Sequence, residues 1–252
     1  NPKVTFTPAL DAFAAESLVW RRAFTAYGAT GLSQPSIWAG SRMIHKQYVT
    51  PFYPMNSLEK LLDHEKYPRY ITMDPVLTAL LKPSPLLDPL DANNVISYEF
   101  CGTLAELKAK LAARKSSEPF FAYTQPQDIH ISVISRAGNN NATGKEYPGF
   151  YAPYAGRMEL LDACFGRFVA DLKQMGLYDD SVIVLTSDHG DSLGEGERWG
   201  HAYTLFPEVV RVPIIMHVPE RLLEGTYKDL DAPAFLLDIA PTLYTLLGHG
   251  PI

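Results

Sequence analysis

An α/β domain built around a mostly parallel sheet with helices on both faces is what this sequence predicts, and three observations predict it. Short β-branched runs alternate with segments of helical periodicity, the chain is long enough for one large core, and chemically active residues follow directly on a strand. The run Ser181-Val182-Ile183-Val184-Leu185-Thr186 is apolar and short, which reads as a buried parallel strand. Ser187-Asp188-His189-Gly190 follows it, placing a carboxylate and an imidazole at the strand's C-terminal end, where open α/β sheets hold their sites. With 252 residues, one substantial core suffices and a single domain over 1–252 is expected.

The elements follow in order. Pro8 to Ser17 has a helix-start proline and apolar residues at Leu10, Phe13, Ala14 and Leu18. Ser57 to Leu62 reads as a short helix and Arg69 to Met73 as a strand. Thr103 to Arg114 is rich in helix formers, and Pro119-Phe120-Phe121-Ala122-Tyr123 reads as a buried strand. Met158, Leu161, Phe165, Phe168 and Leu172 recur at helical spacing, the mark of core packing. Residues 136–153 cluster Gly, Asn and Pro and read as a surface loop. Loops from Tyr48 to Asn94 and from Ser132 to Pro153 are expected to shape specificity.

Composition narrows the function. The 22 Lys and Arg against 28 Asp and Glu give a net charge of −6 without a basic run, so nucleic acid is not an expected partner. No apolar stretch reaches the roughly 18 residues that span a bilayer. Cys101 and Cys164 can pair or stay free, and their number alone fixes no compartment.

The strongest signal lies between residues 187 and 201. Asp188 and His189 present an oxygen and a nitrogen to one divalent ion, and His201, twelve residues after His189, returns to the same neighbourhood across a loop. Trp199-Gly200-His201 precedes Leu205-Phe206-Pro207-Glu208, then Arg211-Val212-Pro213-Ile214-Ile215. Glu159-Leu160-Leu161-Asp162 opens a helix ending at Gly176-Leu177-Tyr178-Asp179-Asp180, and Asp238-Ile239-Ala240-Pro241-Thr242 stands near the end. These motifs, in this order, resemble those of the sulfatase-like branch of the alkaline phosphatase superfamily. The resemblance covers most of the chain and implies an alkaline-phosphatase-like fold, with Asp188 and His189 as metal ligands.

That family places a Cys, Ser or Thr nucleophile at a helix start, with a closing glycine ten positions on. Counting back from Gly40 reaches Thr30, and the family's spacing from Leu10-Asp11 reaches the same residue. Ser33 then matches the motif serine, and Gln34 stands where an arginine belongs. A threonine hydroxyl is a weak nucleophile unless a divalent ion lowers its pKa, and a helix N-terminus favours an arriving anionic ester. Thr30 is therefore the expected nucleophile and third metal ligand. Ser33 is the alternative, because Ser33-Gln34-Pro35-Ser36 imitates the sulfatase motif whose serine is oxidised to formylglycine. The resemblance also implies that His130, after the Pro119 to Tyr123 strand, and His201 contact the transferred group or leaving alcohol. His45, His64, His217 and His249 lack a motif and read as structural or surface residues.

Members of this branch begin with a strand whose acids bind the same ion, and Asn1-Pro2-Lys3-Val4-Thr5-Phe6 contains none. The expectation is a sulfatase-like catalytic domain lacking its first metal-ligand strand, weak in metal binding and turnover by itself. A catalytically defective binding module of the same fold is the non-enzyme alternative. Around Ile71-Thr72-Met73-Asp74 the Lys and His of arylsulfatases are absent, which turns the expectation toward threonine-based phosphoryl transfer. The resemblance implies a zinc or manganese cofactor ahead of calcium. It also implies a small-molecule, lipid or glycan ester substrate, and an extracytoplasmic setting with membrane attachment through any segment upstream of residue 1.

Overall fold

The computed structural model describes residues 4–43, 51–91, 99–114, 117–130, 143–202 and 204–250. The chain runs α1 (Pro8–Ala15), β1 (Leu18–Val19), β2 (Ala23–Phe24), α2 (Thr30–Ala39), α3 (Ser57–His64), β3 (Arg69–Thr72), α4 (Pro75–Leu80), β4 (Leu87–Leu90), α5 (Phe100–Ala113) and β5 (Phe121–Tyr123). It continues with α6 (Ala152–Gln174), β6 (Ile183–Thr186), β7 (Ser192–Leu193), β8 (Trp199–Gly200), α7 (Pro207–Val210), β9 (Ile214–His217), α8 (Glu220–Leu223), β10 (Ala234–Phe235) and α9 (Ile239–Leu246).

The expected helices and strands are present, with some boundaries moved. The helix expected to open at Glu159 starts at Ala152, inside the expected loop 136–153, and only residues 143–153 of that loop are described. The stretch from Tyr48 to Asn94 is no specificity loop where it is described. It contains α3, β3, α4 and β4, and its Leu58, Leu61, Leu62, Leu77 and Leu80 are buried. Asn56 and Asp74 start the two helices by accepting from the backbone N–H groups of Glu59 and Leu77.

β3 lies between β4 and β5, parallel to both, and β2 pairs parallel with β10. The strand expected to run parallel at 181–186 differs: β6 pairs antiparallel with β9, which is also antiparallel to β1. Its residues are half-buried because, among the described residues, it stands at a sheet edge, as β5 does.

Strand alternation sends side chains into two opposed cores. Ile71, Phe121 and Tyr123 pack with Trp38 of α2, Leu61 of α3, Leu77 of α4 and Ala240 of α9. Their sequence neighbours Tyr70, Phe120 and Ala122 face the other way, toward Phe13 of α1, Leu107 of α5 and Phe165 of α6. Helices thus cover both faces, as the sequence predicts.

Two tethers fix the second layer. Thr7 gives α1 no side-chain cap; instead the buried Asp162 of α6 accepts from Ala9 N at 3.0 Å and Leu10 N at 2.7 Å, placing a carboxylate on the helix's positive end. Gly166, one turn along, permits the close approach, since a Cβ there would lie 2.7 Å from Ala9 Cβ. Asp162→Ala removes both acceptors and is expected to cost about 1–3 kcal/mol in denaturant unfolding, with Asp162→Asn losing less.

The second tether is a disulfide between Cys101 of α5 and Cys164 of α6, whose Cα atoms are 5.3 Å apart. It closes a loop with a sequence separation of 63 residues. Paired Cys101→Ser and Cys164→Ser substitution is expected to lower stability by about 2–4 kcal/mol, read as a shifted urea midpoint.

Candidate active site

Thr30 is the first residue of α2, whose N-cap, Ala29, offers no side-chain acceptor. The Thr30 hydroxyl is therefore not occupied as a cap, and it lies 3.1 Å from His189 Nε2. At the other end of α2, Gly40 takes the left-handed conformation (φ 64°), and the N–H groups of Gly40 and Ser41 close on Ile37 and Ser36 carbonyls. The spacing from Thr30 to Gly40 is thus the length of one capped helix.

The His189 ring is oriented from behind. Its Nδ1 lies 3.0 Å from the Gly190 carbonyl, which can only accept, so Nδ1 carries a proton and Nε2 is the nitrogen turned toward Thr30 and free to bind an ion. This is how proteins prepare a histidine for a metal. Asp188 Oδ1 accepts from His189 N–H at 3.1 Å, while Asp188 Oδ2 is buried, has no hydrogen-bond partner among the described residues and lies 3.7 Å from His189 Nε2. Donors bound about 2.0–2.2 Å from a tetrahedral ion sit about 3.3–3.6 Å apart, so these spacings suit one divalent cation. An unpartnered buried carboxylate oxygen is costly in any other role. The donor set of Thr30, Asp188 and His189 fits a divalent metal ion.

Gly190 must be glycine for this turn to exist. Its N–H donates to the Val209 carbonyl at 2.8 Å, and a Cβ would fall 2.1 Å from the Glu208 carbonyl oxygen. Glu208 itself accepts from Ser192 Oγ at 2.9 Å and from the Arg198 guanidinium at 2.8 and 3.1 Å, bracing the loop between β6 and α7.

His201 arrives from β8. Trp199 packs edge-on against Tyr151 at 4.9 Å, and Gly200 (φ 85°) and Ala202 (φ 81°) both take left-handed backbone on either side of the histidine. Ala202 N–H donates to the Gly28 carbonyl at 2.8 Å, tying this loop to the turn before Thr30. Ala202 pays for that position with strain of about 1–3 kcal/mol, as residues beside functional sites often do. Asp191 Oδ1 lies 2.6 Å from His201 Nδ1, and this hydrogen bond, opposed by burial, holds the His201 pKa above its ordinary value. The His201 ring lies 4.2 Å from that of His189 and 5.1 Å from that of His130. Burial and the neighbouring His201 push the His130 pKa down.

The residues singled out by sequence thus converge, Ser33 excepted. Ser33 is fully buried, donates to the Tyr27 carbonyl at 3.0 Å and shares a 2.9 Å hydrogen bond with Thr25. Gln34 is also buried and accepts from the Tyr123 hydroxyl, whose pKa burial raises strongly. His45 lies outside the described residues.

Three site residues escaped the sequence reading. Asp191 joins His189 and His201 in a group whose donor atoms all lie within 4.8 Å; an acid two positions after the candidate ligand His189 was the available signal. Asp74 is buried as the cap of α4, its pKa raised chiefly by burial and partly by the charge of Asp188. Its signal, an Asp-Pro helix start, spoke of capping and not of the site. Tyr154 of α6 is pushed up to about 12 by burial and the charge of Asp191, and nothing in its sequence context marked it.

Comparison with known proteins bears on the family and the fold. The sulfatase family model matches residues 52–249. The low-salt glycan biosynthesis sulfotransferase Agl7 of Haloferax volcanii is 38% identical over 89 residues, covering 34% of this chain and 21% of that protein. The steryl-sulfatase of Mus musculus is 28% identical over 157 residues, covering 58% and 24%. The chain therefore spans about a quarter or less of the length of these curated relatives. Among solved structures, the C-terminal periplasmic domain of phosphoethanolamine transferase EptC from Campylobacter jejuni shares the fold, with a TM-score of 0.71 at 16% identity over 100% of this chain and 82% of that one. The family model covers well over half of the sequence, and the chain belongs to the sulfatase family, in the sulfatase-like branch of the alkaline phosphatase superfamily.

Proposed function

We propose that this protein is a metal-dependent hydrolase or transferase of sulfate or phosphate esters that works through a covalent intermediate on Thr30. The observation that carries the reading is the Thr30 hydroxyl 3.1 Å from His189 Nε2, beside the unpartnered Oδ2 of Asp188. Thr30, Asp188 and His189 hold the ion, which supplies a lowered hydroxyl pKa and charge neutralisation at the ester.

Thr30 Oγ1 releases its proton to solvent and attacks phosphorus or sulfur, and the bond to the leaving alcohol breaks. The N-terminus of α2 meets the negative charge of the transferred group with unpaired N–H groups. Asp191 fixes the His201 tautomer, and His201 and His130 donate hydrogen bonds to the anionic oxygens or return a proton to the leaving alcohol. Water or an acceptor alcohol then releases the group from Thr30.

Three donors fall short of the usual four, and the reading includes one more acid at the site. β5 and β6 each end a sheet among the described residues, and a further strand carrying that acid would pair at such an edge. Zinc or manganese suits a site containing an imidazole better than calcium does. Competition of the three ions for the metal-free protein, read at the His189 resonances, is expected to rank calcium last; calcium displacing zinc contradicts this assignment.

The Cys101–Cys164 disulfide supports an extracytoplasmic setting, because such bridges persist in oxidising compartments. No described helix is long and apolar enough to cross a membrane. The substrate class, a small-molecule, lipid or glycan ester, is proposed from relatives and neighbours named as a steryl-sulfatase, a glycan biosynthesis sulfotransferase and a phosphoethanolamine transferase. The test is turnover of aryl sulfate against aryl phosphodiester by the wild type and Thr30→Ala. Loss of either activity with Thr30→Ala supports the reading, and retention of both overturns it.

A further inference from the structure

Far from Thr30 in the sequence, two helix C-termini bring together side chains that the reaction does not use. At the end of α3, Lys66 takes φ 57°, with Lys66 N–H closing on the Asp63 carbonyl at 3.2 Å and Tyr67 N–H on that of Leu62 at 3.1 Å. At the end of α9, Gly248 takes φ 80°, with its N–H on the Thr245 carbonyl at 3.0 Å and His249 N–H on that of Tyr244 at 2.9 Å. Both are Schellman closures, which fix the backbone of the residues they contain. The first sets His64 and Glu65, and the second sets His249. Tyr244 OH, donating to the Ser57 carbonyl at 2.8 Å, holds the two helices together.

The side chains so placed share one focus. Glu65 Oε1 lies 2.9 Å from His64 Nδ1 and 2.8 Å from His249 Nε2, and the two imidazole rings meet edge-on at 5.1 Å. The three donor atoms lie within 4.8 Å of one another. Donors around a tetrahedral zinc ion sit about 3.3 Å apart, so the two spacings to Glu65 need to open by only a few tenths of an ångström to admit an ion. The negative ends of both helix dipoles point to the same place and favour a cation.

We propose that His64, Glu65 and His249 form a second zinc site, separate from the catalytic one, that pins the segment after α9 to the end of α3. In the metal-free protein the carboxylate can only accept, so the facing nitrogens carry protons. On binding, each neutral imidazole moves its proton to its other nitrogen and offers the freed lone pair, and water takes the fourth position. Two imidazoles and one carboxylate select zinc over calcium or magnesium, which prefer all-oxygen sites.

The test uses zinc alone as the probe, counting ions retained by the whole protein after titration and desalting and recording the melting temperature with and without zinc. Wild type is expected to retain one more zinc than His249→Ala. Asp188→Asn, which alters only the catalytic site, is expected to keep that extra ion. Zinc is expected to raise the melting temperature of wild type and Asp188→Asn more than that of His249→Ala, while ester turnover by His249→Ala remains at the wild-type level. Equal zinc content and equal thermal response in wild type and His249→Ala overturn the proposal. Should His249→Ala fold poorly, His64→Gln repeats the test at a side chain that is 72% exposed and supports no core. Because the Asp188→Asn arm reports the catalytic site alone, failure here and failure of the proposed chemistry give different results.

Discussion

In a chain that carries the further metal-ligand strand, Thr30→Ala is expected to abolish turnover of the sulfate or phosphate ester, by about 10⁴-fold or more, while leaving the fold intact. The hydroxyl supplies the bond-forming oxygen, so neither His130 nor His201 can substitute for it. The structural cost is small because Thr30 is not the cap of α2 and its one hydrogen-bond partner in the structure, His189, is itself held by the Gly190 carbonyl. We expect a stability change within about 1 kcal/mol, measured by urea unfolding. Thr30→Ser keeps the oxygen and recovers part of the activity. Ser33→Ala removes two buried hydrogen bonds instead, so its damage appears in stability and not in the chemical step. An inactive Ser33→Ala beside an active Thr30→Ala reverses these assignments.

Asp188→Asn separates function from stability in the opposite direction. Asp188 Oδ2 is buried without a hydrogen-bond partner among the described residues and shares its surroundings with the buried Asp74. In the metal-free protein a buried carboxylate oxygen without a partner is unfavourable, and an amide relieves it. We expect metal-free Asp188→Asn to be more stable than wild type by about 1 kcal/mol in urea unfolding. The same change removes an anionic ligand, so metal affinity falls steeply and activation of Thr30 falls with it. The signature is a variant that unfolds later without metal, gains little when metal is added, and turns over at least about 10³-fold more slowly. Destabilisation of the metal-free variant contradicts the claim that Asp188 is held ready for a cation.

Much of this was legible because the motifs mark places where backbone and chemistry coincide. Ser187 to Gly190 could be read since a β-branched strand precedes it and only glycine fits against Glu208. Thr30 could be read because its distance to Gly40 is the length of a helix closed by a left-handed residue. The pairing direction of β6 could not be read, since an apolar run looks the same whether its neighbour is parallel or antiparallel. Between Tyr48 and Asn94 the helix at Ser57 and the strand at Arg69 could be read, but α4 and β4 could not, because Pro75 and Pro89 start a helix and lie in a strand where prolines usually mark a loop. Asp74 was missed because its place beside Asp188 is made by a distant segment, whereas Asp191 had a local signal in its spacing from His189 that was passed over. The meeting of His64 with His249 was equally invisible, being made by two helix ends 185 positions apart.

The claim that Thr30 carries the transferred group is tested most directly by acid-quenching the enzyme during turnover and locating any covalent adduct by fragmentation mass spectrometry. The account predicts a phosphoryl or sulfuryl group on Thr30 that appears with substrate, decays as substrate is exhausted and is absent from Thr30→Ala. An adduct on Ser33, or an aldehyde in place of its hydroxymethyl group, contradicts it.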